Sequence, residues 1–498
     1  MKVLSTLEPQ QRKNLLVLFA AGLLFWASLG SLLPTLPLYV EDVGGTTQQI
    51  GLVMGSFAIG LLLGRPRLGK LADQRSRKLV VLIGMAVVAV APLGYLFVKS
   101  IPLLLLIRAF HGISIAAYTT GNSALIVDLS PVEKRGELIG YMSLTNPIGI
   151  AIGPAIGGFL QEQAGYTPLF LFSFAVGLLG FFLASQVKEP PITHEPVVAP
   201  LVGAQSSQSQ TDKVLEKSPN PPNPPSLQGN GGSFLPSRSR SVREAQSPLF
   251  KGGKGGSRGV GGEVNSQGLT DISTTFQKPS NNVSVKPQSD KFWQMLASPR
   301  LRIPALVLLL TGVVFGAMAT FVALYIREAK VDFNAGWFYT ATAMSSFSIR
   351  LITGRASDRY GRGVFLTASL VCYALGMLLL SQAHSAVYFL LAGLLEGAGG
   401  GTLIPMMIAL ISDRSHPHER GRVFSLCMGG FDVGIAIAGP VLGTFAPQLG
   451  YQGIFSLTTG LAVLALIVFI TQNSKDLPHS VRFATGRGRD VYALNTRV

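Results

Sequence analysis

Twelve long apolar runs organise this sequence. They fall at about 14–40, 48–69, 79–98, 101–127, 137–161, 166–187, 301–326, 334–353, 364–383, 386–411, 422–446 and 452–471. A helix needs roughly 20 predominantly apolar residues to cross about 30 Å of hydrocarbon. Strands of a membrane barrel are short and alternate in polarity, whereas these runs are continuous. Only helices and closed barrels satisfy the backbone in lipid. The chain is therefore expected to be an all-α membrane protein with twelve transmembrane helices. Composition agrees: 13% of the 498 residues are charged, against about 25% in soluble proteins.

The formal net charge is +16, a value that elsewhere suggests nucleic acid. Its distribution argues otherwise. Basic residues cluster in alternate connections: Lys70–Lys78, Lys134–Arg135, the long middle stretch, Arg355–Arg362, Arg414–Arg422 and both tails. The remaining connections hold only Lys99, Arg327 and Lys330. By the positive-inside rule the basic loops and both termini are cytoplasmic, in an inner or plasma membrane. The charge reads as topology, and no nucleic-acid partner is expected. Cys372 and Cys427 both fall inside spans, which leaves no disulfide framework. His-x-His at 416–418 is too small a ligand set for a metal, and no cofactor is expected. The first apolar run, after Lys2, Arg12 and Lys13, is too long for a signal-peptide core and reads as an uncleaved first helix.

Six spans precede residue 188 and six follow about 300. Between them lie PNPPNPPSLQGNGG, SRSRS and KGGKGGSRGVGG, too poor in apolar residues to offset ordering entropy. The expected organisation is a bundle over 1–187, a disordered cytoplasmic linker over 188–299, a bundle over 300–472 and a cytoplasmic tail over 473–498. The halves repeat. GKLADQRSRK at 69–78 returns as GRASDRYGR at 354–362, with Gly69 and Gly354 285 residues apart. The same offset sets Arg65 on Arg350, Gly112 on Gly397, Asp128 on Asp413 and Arg135 on Arg420. One insertion later, Gly153–Pro154 falls on Gly439–Pro440. Two parallel, pseudo-symmetric six-helix bundles with a site at their interface describe a rocking transporter.

At these motifs the chain resembles the major facilitator superfamily, over everything except the linker and tails. The second copy of the loop signature matches through Gly354, Asp358, Arg359, Gly361 and Arg362, and ends in Gly363 where the family has a basic residue. The first copy keeps Gly69, Asp73, Arg77 and Lys78 but has Gln74 and Ser76 where a basic residue and a glycine are usual. Arg108 followed by Gly112 is a second family feature. GIAIGPAIGG at 149–158, with Gly149, Gly153, Pro154, Gly157 and Gly158, is similar to the fifth helix of twelve-helix drug–proton antiporters. The resemblance implies the major facilitator fold, alternating access and no enzymatic activity. It also implies that the first, fourth, seventh and tenth helices line a cavity, setting Arg108 and Glu396 on facing halves.

Each motif has a physical reading. In the loops, glycine permits close helix approach and the acid opposes a helix N-terminal dipole. The arginines sit at headgroup level, where they can pair across the halves; together these residues form a conformational latch. In the fifth helix, glycines four apart let another helix pack closely, and Pro154 removes a backbone donor and bends the helix. Ionisable residues at membrane depth are costly and mark function. They are Arg108, His111, Glu396 and Asp432, and the repeat sets His111 on Glu396 and Asn146 on Asp432. Glu396 or Asp432 is the expected proton carrier. Arg65 and Arg350 read as residues snorkelling to headgroups. Asp128 and Asp413 are expected to hold Arg135 and Arg420 in a cytoplasmic network.

The expected function is proton-coupled efflux of a small organic compound by a monomer. Rivals are a facilitator or importer of sugars or other metabolites, and a non-transporting receptor or scaffold using the linker.

Overall fold

The computed structural model describes residues 7–131, 134–189, 292–416 and 419–494. The stretch 190–291, on which the linker expectation rests, lies outside them. All regular structure among the described residues is helical.

The first half holds α1 (Pro9–Ser31), α2 (Leu36–Asp42), α3 (Thr47–Gln74), α4 (Arg77–Phe97), α5 (Ile101–Leu129), α6 (Arg135–Ser143), α7 (Thr145–Ala164) and α8 (Tyr166–Ser185). A short α9 (Phe292–Ala297) leads into the second half: α10 (Arg302–Glu328), α11 (Ala335–Tyr360), α12 (Arg362–Ser381), α13 (Ala386–Asp413) and α14 (Arg420–Gln472). A last helix, α15 (Leu477–Ala484), follows.

Among the described residues, ten stretches are long and apolar enough to cross a membrane. One of them bends at Gly450, where φ is 64°, and so holds the last two spans. α11 is 26 residues long but too rich in Ser, Thr and charge to pass on hydropathy alone. With it the spans among the described residues number twelve, six in each half. The first span is α1 and α2, parted by a turn containing Pro34. The fifth is α6 and α7, which meet at Leu144. Pro154, the expected bend, lies inside α7, which runs unbroken from Thr145 to Ala164.

Local chemistry sets the helix starts. Thr46 and Gln49 form a reciprocal capping box at α3, satisfying two orphan donors. Asn334 accepts from Gly336 N at the start of α11 (2.7 Å). Glycines set the packing, because lipid supplies no hydrophobic drive between helices and van der Waals contact must hold them. A Cβ on Gly112 would overlap the Phe57 carbonyl, and one on the repeat-related Gly397 would overlap that of Thr342. The outward surface is apolar, with Phe97 79% and Ile352 66% exposed, as a lipid-facing belt requires.

Candidate functional site

Both halves keep a buried polar cluster at the same register. In the first half Arg108 and His111, on α5, are 5% and 0% exposed. The Arg108 guanidinium lies 4.5 Å over the Phe57 ring and beside Tyr95. His111 Nδ1 is 3.1 Å from the Tyr95 hydroxyl. In the second half Glu396, on α13, is 2% exposed and lies beside Thr342, Tyr339 and Tyr373. Among the described residues, Arg108 Nε, His111 Nε2 and Glu396 Oε2 have no hydrogen-bond partner. Arg108 and Glu396 lie on opposite halves, and the contacts given for each are with helices of its own half. The repeat identifies equivalent residues, but the side of the helix they show depends on the glycine contacts, and those turn α5 toward α3 and α13 toward α11.

Asp432 behaves differently. It sits on α14, 4% exposed, about 18 Å along the helix at 1.5 Å per residue. Its Oδ2 is 2.5 Å from Arg65 Nη1 on α3, so this ion pair joins the two halves deep in the bundle. Sequence reasoning gave Arg65 to the headgroups. The signal that pointed inward was its register opposite an acid-bearing helix, which only packing reveals. The pair has no mirror image: Arg350 Nε instead donates to the Gly401 carbonyl of its own half (3.2 Å).

Away from the termini, the halves are joined by backbone and by charge. A Cβ on Gly51 would overlap the backbone of Gly439, and one on Gly439 that of Gly51. Arg327, at the end of α10, reaches Glu41 (2.8 Å) and Asp42 (2.6 Å) at the end of α2, and Tyr166 OH also donates to Asp42. Asn334 Nδ2 donates to Glu162 (2.6 Å), and Thr340 Oγ1 to the Ala151 carbonyl (2.9 Å). A pocket of about 370 Å³ opens there, lined by Thr35, Glu162, Arg327, Lys330 and Asn334 among others.

The glycines of α7 divide their work. Gly149, Gly153 and Gly157 rest on α1 between Leu23 and Ser31, while Gly158 and the Pro154 carbonyl face Asn334 and Gly336 of the other half. On α14, Gly434 rests on α10 but Gly439 faces Gly51. Gly149 and Gly153 are four residues apart but Gly434 and Gly439 five; that one-residue shift amounts to about 100° of helix rotation, and Gly153 and Gly439, matched in sequence, show different faces. Phe25 and Met407 are fully buried, and Phe25 stacks on Tyr118 with centroids 4.0 Å apart.

At the terminal end, Arg77 pairs with Asp128, and its repeat partner Arg362 pairs with Asp413 (2.8 Å). The start of each third helix therefore meets the end of each fourth. Asp128 is not brought to Arg135; helix packing, not loop adjacency, chooses the partner. Gly69 has open space around it, and Asp73 is exposed. The Arg77 and Lys78 amides donate to Glu189 (2.6 and 3.3 Å). Gly361 has φ of +84°, a left-handed conformation that favours glycine. Gly354 and the side chains of Asp358, Arg359 and Arg420 lie outside the described ones.

The sequence profile of the Major Facilitator Superfamily matches residues 18–351 and 305–491. The chain belongs to that superfamily. Among curated members, it is 33% identical over 172 residues to the quinolone resistance protein NorA of Staphylococcus aureus strain Mu50, spanning 34% of this chain and 44% of NorA. It is 29% identical over 172 residues to the uncharacterised MFS-type transporter MJ1560 of Methanocaldococcus jannaschii, 34% of this chain and 45% of that one. These matches span less than half of either relative. Among solved superfamily structures, the nucleoside transporter NupG aligns with a TM-score of 0.61 at 14% identity, over 91% of this chain and 97% of NupG. A bacterial homologue of the human lysosomal transporter Spinster, inward-facing and unoccupied, aligns with 0.59 at 13% identity, over 98% and 100%. At such identities the likeness is one of fold. Family and neighbours together point to a multi-pass membrane transporter rather than an enzyme.

Proposed function

We propose that this superfamily member is a secondary active exporter. It exchanges a small organic compound for protons by alternating access, acts as a monomer, and has its basic loops and termini on the cytoplasmic side of an inner or plasma membrane. The Arg65–Asp432 pair carries this reading. A carboxylate between two moving halves, deep in the bundle, can hold either a guanidinium or a proton. When Asp432 takes a proton its charge is gone, Arg65 is released, and the halves lose a tie at that depth. When the proton leaves on the other side, the pair re-forms. Glu396 is the second candidate; it lies inside its own half, beside Thr342. Arg108 gives the first half a buried positive charge, with the His111 imidazole buried on the same helix. The turns around Asp73 and Asp358 latch the terminal end, and the α7 glycines seal the path while the halves rock. The name of the Staphylococcus aureus relatives, quinolone resistance protein, fits export of a compact organic molecule.

The test uses inside-out vesicles with an imposed proton gradient, a pH-sensitive dye and a panel of lipophilic cations, dyes, sugars and organic acids. One class should collapse the gradient, and Asp432→Asn should abolish that response while leaving the protein folded. Radiolabelled uptake with no proton movement, unchanged in Asp432→Asn, would mean a facilitator and defeat the reading.

A further inference from the structure

We infer that α15 and the segment after it form a docking surface for anionic lipid headgroups. α15 is an eight-residue helix with two unlike faces. Ser480, Phe483 and Ala484 are buried against the bundle. The Phe483 ring lies 6.3 Å from that of Phe469, one turn before α14 ends at Gln472. Thr367 Oγ1, near the start of α12, donates to the Ala484 carbonyl (2.9 Å). The helix is therefore level with the last turn of one span and the beginning of another, at the depth where a spanning helix meets headgroups.

The segment is fixed in place. Arg414, 0% exposed, is held by both oxygens of Asp490, Nε to Oδ2 at 2.7 Å and Nη2 to Oδ1 at 3.0 Å. It also donates to Asn473 Oδ1 and to the Arg300 and Asn473 carbonyls, each at 3.1 Å. Leu494 N donates to the Asp413 carbonyl (2.8 Å). What this fixed segment shows outward is apolar and cationic. Leu477 and Val481, one turn apart, are 55% and 38% exposed. Lys475, Arg482, Arg487 and Arg489 are exposed, and none is in an ion pair among the described residues. The nearby acids are already engaged, Asp490 by Arg414 and Asp476 by His479 (2.6 Å). Solvation alone accounts for the four cations but not for the apolar pair set beside them. Apolar side chains reaching the acyl boundary, with cations at the phosphates, are what an interfacial surface offers, and anionic lipid is the occupant that neutralises it.

The experiment titrates the detergent-purified full chain with phosphatidylglycerol or phosphatidylcholine and counts retained lipid by native mass spectrometry. Phosphatidylglycerol should be retained preferentially, in a salt-sensitive manner. The Arg482→Gln/Arg487→Gln/Arg489→Gln variant should weaken retention by about fivefold for each cation removed. Leu477→Ser/Val481→Ser should weaken it with an unchanged melting temperature. Excess inorganic phosphate should not displace the lipid. Equal retention of the two lipids, full displacement by phosphate, or an equal loss in Lys70→Gln/Arg75→Gln, which removes exposed cations from the same end of the other half, would overturn the inference.

Discussion

The turn at Arg75–Ser76, between α3 and α4, and the turn at Gly361, between α11 and α12, occupy equivalent places in the two halves, and they are capped by different segments. In the first, Ser76 is extended, with φ of −169°, and its hydroxyl accepts from Leu79 N (2.9 Å). The Glu189 carboxylate, arriving from the end of α8, then takes the Ser76 hydroxyl and the Arg77 and Lys78 amides. In the second, Gly361 turns left-handed, and the bare Gly363 admits the Phe483 backbone, where any Cβ would collide. Two of the three departures from the family signature, Ser76 and Gly363, are thus places where an outside segment docks.

The comparison breaks most severely at the docking residues themselves. Asp490→Ala leaves the Arg414 guanidinium buried without its carboxylate and should cost about 3–5 kcal/mol. Its counterpart, Glu189→Ala, removes an anion from a helix N-terminus and should cost about 1 kcal/mol. Thermal unfolding of the two variants in detergent checks the ratio; equal losses would mean that the tail is not integral to the second half. Next in size is Gly363→Lys, which restores the family's basic residue. It should expel α15 at a cost of about 1–3 kcal/mol of overpacking and expose the tail to protease. The converse change, Lys78→Gly, should leave the first turn capped, because Glu189 holds the backbone and not the Lys78 side chain. The smallest effect lies in the loop before α14. Burial works against the charge on Glu419, but the His416 amide and the Arg300 guanidinium outweigh it and hold the carboxyl below the ordinary glutamate value. A lowered folded-state pKa gives stability that is present above the unfolded value and lost as pH falls through the folded one. Glu419→Gln should therefore melt earlier than the parent near neutral pH, by no more than about 1 kcal/mol, and match it once the pH is below the carboxylate range.

The spans, their pairing into halves and the superfamily were legible because each rests on local signals: run length, alternation of basic loops and a constant register. Arg77–Asp128 and Arg362–Asp413 show where legibility stopped. The acids were identified, and the repeat was identified, but the nearest loop arginines were assigned to them. Asp128 is taken by Arg77, from the start of a neighbouring helix; Asp413 meets the equivalent Arg362, and the side chain of Arg420 lies outside the described ones. Arg65 was misplaced for a similar reason, since its distance from the helix end is compatible with snorkelling and its partner is on the other half. The tail was opaque: α15 is only two turns long, and Asp490 has no periodic pattern around it. Arg414 looked like one more loop cation, although it is fully buried.

The crossing of Gly51 and Gly439 has a mechanical meaning. Two bare backbones in contact have no rotamers to rearrange and no side chains to disengage, so the surfaces can roll or slide with little resistance. In an engineer's terms this is a plain bearing. The parts that resist motion are elsewhere, in the Arg327, Asn334 and Asp432 contacts. On the proposed alternating-access cycle, guiding the movement and holding a position would fall to different atoms, and evolution or design could retune the second without touching the first.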